Sequence, residues 1–217
     1  MDIPELLNII SKGENLTVEF KQKFTEHEKI AKEMIAFANT KGGILIFGVR
    51  DNKKILGIDS EKEIAELVKE TAEHYSVPPI KYRIEFPEVR KKLLAVVFIK
   101  PSSDKPHRIE DYREKLDLNK ALVYVRVNDK SVLAGKEMIK LMMINPDNKP
   151  LKNYEFASNE KAVFTYLENH ETIDAKILSK FANISMRRAS RTLINLVRLN
   201  MLLIHTKDNG ENYFTEK

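Results

Sequence analysis

Cysteine is missing from all 217 residues, which excludes disulfides and thiolate metal sites. That absence fits a reducing compartment. No apolar run approaches the roughly 20 residues that a membrane-crossing helix needs. The opening stretch MDIPELLNIISKGEN carries acids and no basic leader, so no secretory signal is expected and the chain reads as cytoplasmic. There is no internal repeat, no low-complexity tract and no nucleophile elbow. The histidines at 27, 74, 107, 170 and 205 include no i, i+4 pair, so a helical zinc site is not expected. Gly42-Gly43 lacks the Gly-Lys-Ser/Thr ending of a phosphate loop. Tight turning and close packing are the expected role of the pair, with phosphate cradling as the alternative.

What the chain does have is charge. Lys and Arg number 37 against 32 Asp and Glu, a net charge of +5. The hydrophobic share of 42% is enough for a core. A mild basic excess is compatible with nucleic acid and equally with an ordinary lysine-rich surface.

Asp2, Pro4 and Gly13 predict a short first helix with a cap, a first-turn proline and a stop. LTVEFKQKF alternates. Val18 and Phe20 face one way and Thr17, Glu19 and Lys21 the other, the pattern of a half-buried strand. Apolar residues from Ile30 to Ala38 recur at helical spacing, with Thr25 as the expected cap. GILIFGV is apolar without alternation, so it predicts a central strand buried on both faces. DNKK makes a turn and ILGI a short returning strand. A helix over about 61–76 ends at Pro78-Pro79, two strands join near Pro87 to Lys92, and 102–119 is expected to be a long surface loop. ALVYVRV is a further strand and GKEMIKLMMI a closing helix. The class is α+β, with a mixed, largely antiparallel sheet and packed helices.

After a proline-bearing linker the pattern becomes helix, helix, helix, hairpin. Ser158 is the expected cap of the first helix, Ser185 caps the third, and Asn209-Gly210 is a strong hairpin turn. The predicted layout is one domain over 1–145, a linker over 146–157 and a small winged helix-turn-helix over 158–217. In that motif the start of the third helix reaches base edges. Ser185, Arg187, Arg188, Ser190 and Arg191 are therefore the nucleic-acid-binding candidates, because arginine forks match guanine edges and phosphates. Lys207, with His205, Asn209 and Asn212, is placed on the wing. The module carries nine Lys and Arg against seven Asp and Glu. A winged helix used for protein contact stays open as the alternative.

ENLTVEFKQKF followed by AFANTKGGILIFGVRD resembles the Schlafen AlbA-type domain family. That family pairs a VEFK strand with a helix ending AFANT-x-GG and a strand ending GV-x-D. KPSSDKPHR and VYVRVNDKS are similar to its last loop and strand. The resemblance covers about residues 3–144. Bacterial and archaeal members are commonly described as DNA-binding regulators, often with a C-terminal winged helix. This chain leaves no space for the ATPase segment that many carry. Some eukaryotic members cut transfer and ribosomal RNA with three acidic residues, and the matching positions here are Glu14, Glu19 and Asp51. Those members also use a doubled core and a cysteine zinc site, neither of which is present.

Three converging carboxylates would repel unless protonated or neutralised, and Mg²⁺ or Mn²⁺ is the natural partner. Glu14, Glu19 and Asp51 are thus the candidate catalytic and metal-binding residues, and Lys21, on the Glu19 face, is a candidate phosphate contact. Five extended residues span about 17 Å, so Glu14 must sit on a turn that folds back. The structural alternatives are a surface Glu19–Lys21 ion pair and a turn-forming Asp51. The expectation is a DNA-binding transcriptional regulator, acting as a homodimer. The alternative is a metal-dependent endoribonuclease.

Overall fold

Asp2 begins the first helix as expected. Its carboxylate accepts from the Glu5 N–H at 2.7 Å, Pro4 occupies the first turn, and Gly13 at φ 86° stops the helix. The helix, α1, spans Ile3–Lys12. The computed structural model describes residues 1–144, 154 and 156–217. They form two units, Met1–Leu133 and Ala134–Lys217.

In the first unit β1 (Val18–Lys21), α2 (His27–Asn39) and β2 (Gly43–Phe47) make a strand–helix–strand crossover. β1 and β2 are parallel, with Val18 opposite Ile44 and Lys21 opposite Phe47. Next come α3 (Glu61–His74), β3 (Ser76–Val77), β4 (Tyr82–Glu85), β5 (Glu88–Val89), β6 (Lys92–Leu93), β7 (Ala95–Ile99), β8 (Arg108–Ile109), β9 (Tyr124–Val127) and β10 (Lys130–Leu133). The main sheet runs β1-β2-β7-β4, and β3–β8, β5–β6 and β9–β10 are two-stranded. All pairs but β1–β2 are antiparallel. The class is α+β.

β2 is apolar throughout because both faces of the sheet are covered. Leu45 and Phe47 enter a core with α2 and α3, and Ile46 enters another with Leu6 and Ile10 of α1. Each such side chain contributes about 1.5–3 kcal/mol. Four expectations need correction. β1 is not half-buried, because Glu19 is only 7% exposed. The stretch 102–119 is not wholly a surface loop, since it holds β8 and the buried His107 and Arg108. ILGI makes only an isolated bridge, Ile55 to Val49. The cap position of α2 falls on Glu26 rather than Thr25.

The second unit contains α4 (Lys136–Met142), α5 (Ser158–Leu167), α6 (Ala175–Phe181), α7 (Met186–Arg198), β11 (Leu202–Thr206) and β12 (Asn212–Glu216). Val163, Leu178, Leu193, Leu196 and Phe214 make its core. Asp174 caps α6 and Ser185 caps α7. Ser158 lies inside α5, whose start is tied by the Glu160 carboxylate accepting from the Ala157 N–H at 3.1 Å. β11 and β12 pair around Asn209-Gly210, and Ile173 bridges to Phe214. The helix α4, expected to close the first domain, belongs to this unit: Lys140 Nζ donates to Ser190 Oγ at 3.1 Å. Most of the expected linker, 146–153 and 155, lies outside the described residues. No helix among the described residues is long and apolar enough to cross a membrane.

Candidate functional site

The chain does fold back between α1 and β1. Asn15 and Val18 exchange backbone bonds, at 3.1 and 3.4 Å, and the Asn15 side chain accepts from the Thr17 N–H at 2.9 Å. This turn brings Glu14 Oε1 to 2.8 Å from the Phe20 N–H. Asp51 lies just past β2, exposed, in a turn closed by the Lys53 N–H on the Arg50 carbonyl at 2.7 Å. Lys53 Nζ donates to the Ser11 carbonyl at 2.8 Å, which holds that turn beside the end of α1. The Glu14 carboxyl titrates above its ordinary range. Burial is the main cause, and Glu19 and Asp51 add repulsion that Lys21 and the Phe20 N–H oppose. Glu14 thus shares a field with both other carboxylates.

They do not converge on one point. Among the described residues no three Asp, Glu or His side chains are grouped to hold a metal ion. Both Glu19 oxygens are already engaged, one by Lys21 Nζ and the other by Arg126 Nη1 at 3.0 Å. Arg126 Nη1 also lies 3.1 Å from Glu33, and Lys21 Nζ 3.8 Å from Glu33. Two acids and two bases neutralise each other, so the Glu19 charge needs no Mg²⁺ or Mn²⁺ and the arrangement does not fit a cation shared with Glu14 and Asp51. Lys21 is likewise corrected. Its ammonium is held by carboxylates rather than free for phosphate.

The AFANT stretch acts as a clamp. Asn39 Nδ2 donates to the carbonyls of His107 and Tyr124 at 2.8 and 2.9 Å, and its Oδ1 accepts from the His107 N–H. Thr40 Oγ1 accepts from the Arg126 N–H at 3.0 Å. The Gly42 N–H bonds to the Phe37 carbonyl at 2.9 Å, closing the end of α2. A Cβ on Gly43 would stand 2.4 Å from the Phe37 ring. Packing, not phosphate cradling, accounts for this glycine pair. Glu33, Asn39, Arg126 and His107 are the site-shaping residues that sequence reading missed.

In the second unit α7 presents a basic face. Arg187, Arg188, Arg191 and Arg198 are exposed, and none is ion-paired with a described residue. Spacings of three, four and seven put them on one side of the helix. Ala189, Leu193 and Leu196 occupy the opposite side, in the core. Ser185 Oγ accepts from the Arg188 N–H at 3.3 Å. Ser190 is only 4% exposed and faces Lys140, so its candidacy for base contact fails. Lys207 is exposed on the hairpin, 5.9 Å from the Tyr213 ring. His205 bonds to Thr215, Asn212 to Thr206 and Glu137, and Asn209 to Glu211.

The chain is similar in part to solved structures. The N-terminal domain of a RecG-related protein from Nitrosomonas europaea is 17% identical over 52% of this chain and 81% of that one, with a TM-score of 0.40. The DIP2311 protein from Corynebacterium diphtheriae is 17% identical over 59% of this chain and 30% of its own, with a TM-score of 0.42. Among curated proteins none matches. The model of the family described as Schlafen, AlbA_2 matches residues 14–135, more than half of the chain, and the protein belongs to that family.

Proposed function

We propose that the protein binds nucleic acid and works as a DNA-binding transcriptional regulator, with its second unit acting as a winged helix-turn-helix. The carrying observation is the arginine face of α7. Four guanidinium groups, none ion-paired with a described residue, on one solvent-facing side of a capped helix match phosphate and guanine chemistry. The helix N-terminus adds its own attraction for phosphate. The α6–turn–α7 order followed by a hairpin is the arrangement in which such a helix enters the major groove. Placement outweighs the modest charge of the module. A homodimer would present two such helices to a two-fold site.

The endoribonuclease alternative draws support from the raised Glu14 carboxyl alone, and the engaged Glu19 and Lys21 weigh against it. One experiment separates the two readings. The chain is titrated into labelled duplex fragments, then incubated with structured RNA with and without Mn²⁺. Duplex retention that is lost in the R187A/R188A/R191A variant, with RNA left intact, is the expected result. RNA cleavage abolished by Asp51→Ala, with no duplex retention, would overturn it.

A further inference from the structure

At the end of the main sheet away from Asp51, the starts of β2 and β4 meet the end of β7 around a cavity of about 740 Å³. Pockets of roughly 300–1,000 Å³ hold small organic ligands. The backbone explains why this end is open. Gly42 sits at φ +76°, and a Cβ there would stand 2.6 Å from the Ile99 carbonyl oxygen and 2.8 Å from the Pro101 ring. No side chain can occupy that corner. Ile44 and Phe98, paired neighbours on one face of the sheet and only partly buried, form an apolar wall, while Tyr82 lines the cavity from the opposite face.

The rim is cationic. Lys41, Lys81 and Lys100 line it, are exposed, and form no ion pair with any described residue. Arg83 also lines it, but its charge is partly spent. Its guanidinium pairs with Glu85 and lies 4.0 Å over the Phe98 ring. Asp104 is the single acid among the described lining residues. A partly open apolar wall under an unbalanced positive rim is matched by a ligand with the complementary halves.

The lining on the α2 side is polar, neutral and fixed. His107 is 2% exposed, with one ring nitrogen 2.7 Å from the Pro78 carbonyl and the other 2.7 Å from Ser102 Oγ. Burial pushes its imidazole below the ordinary range, so it adds no charge at neutral pH. Ser102 is itself held, its N–H donating to the Ala38 carbonyl at 2.8 Å and its Oγ accepting from the Asp104 N–H at 3.0 Å. A ligand therefore meets a preformed site and pays little ordering entropy.

We propose that this cavity binds a small organic anion, a flat apolar body carrying a carboxylate or a phosphate. The body lies against Ile44 and Phe98, and the charge meets Lys41, Lys81 and Lys100. The site is independent of the arginine face of α7.

The probe is 8-anilinonaphthalene-1-sulfonate, titrated into the full chain near neutral pH, with N-phenyl-1-naphthylamine as its uncharged counterpart. The anionic dye should saturate at a single site. Benzoate or phenyl phosphate should displace it, and the stronger competitor identifies the anionic group. The K41A/K81A/K100A variant should bind the anionic dye about tenfold more weakly, as expected for the loss of three exposed charges. Its melting temperature and its affinity for the uncharged dye should be unchanged. Absence of saturable dye binding, failure of both acids to displace the dye, or equal binding by the triple variant would overturn the proposal.

Discussion

Arg126 Nη1 stands 3.0 Å from Glu19 Oε2, across 107 positions of sequence. The same nitrogen reaches Glu33 at 3.1 Å, and Nη2 donates to the Asn15 carbonyl at 2.8 Å. The guanidinium lies 4.8 Å over the Phe37 ring, with its side chain wholly buried. One residue of β9 thus ties down β1, α2 and the turn that carries Glu14. A buried ion pair adds little over an apolar replacement, but removing one partner strands the other.

Arg126→Ala should therefore cost about 3–5 kcal/mol in urea denaturation, because Glu19 and Glu33 lose their shared cation. Glu19→Gln should cost less, since Arg126 keeps Glu33. A loss for Arg126→Ala smaller than that for Glu19→Gln would show that the cluster does not depend on the guanidinium.

His107 gives the first unit an acid-side weakness. Its imidazole titrates below the ordinary range, chiefly through burial, against backbone and Asp104 effects that raise it. In the unfolded chain it takes up a proton near pH 6.5, while the folded chain refuses one until lower pH. Stability should fall as pH drops from about 6.5 toward the folded value, and His107→Gln should flatten that part of the profile. Equal slopes for parent and variant would contradict this.

Local signals made much of the fold legible. Asp2, Pro4 and Gly13 bound α1, the unbroken apolar run marked β2, and Asn209-Gly210 marked the hairpin, because each depends on neighbours a few residues away. Glu19 was different. Alternation says which side of a strand a residue takes, not what covers that side, and the cover is Arg126, far along the chain. The same limit hid Ser190, screened by α4, and β8, whose two residues pair with β3. Of the candidate site, the arginines of α7 were visible in sequence because a helix period places them. Arg198 ends α7, about three turns beyond the helix start where base contacts are expected, so only the helix period joins it to the same face. The neutralisation of Glu19 had no local signal.

Glu14 is strained in the opposite sense to His107. Its folded carboxyl is raised, by burial first and then by Glu19 and Asp51, so its ionised form is disfavoured at neutral pH. Glu14→Gln keeps an acceptor for the Phe20 N–H and removes the charge. It should raise the melting temperature near neutral pH, with the gain fading below the raised value as the parent becomes protonated. A lower melting temperature at neutral pH would mean the charge is held favourably.

A two-fold DNA site calls for two copies of α7. Light scattering of the purified chain should give about 50 kDa, twice 25.1 kDa. A mass that stays at the single-chain value across the micromolar range would refute the dimer.

The arginine face of α7 is most directly tested by the salt dependence of duplex binding. Each phosphate contact steepens the plot of log affinity against log salt by about 0.9. Fluorescence anisotropy across a salt series should give a slope shallower by about 2–3 for R187A/R188A/R191A if the three arginines meet phosphates. If any of them reads a base edge instead, the variant should lose about 1–3 kcal/mol of sequence preference per arginine. An unchanged slope together with unchanged sequence preference would contradict DNA recognition by this helix.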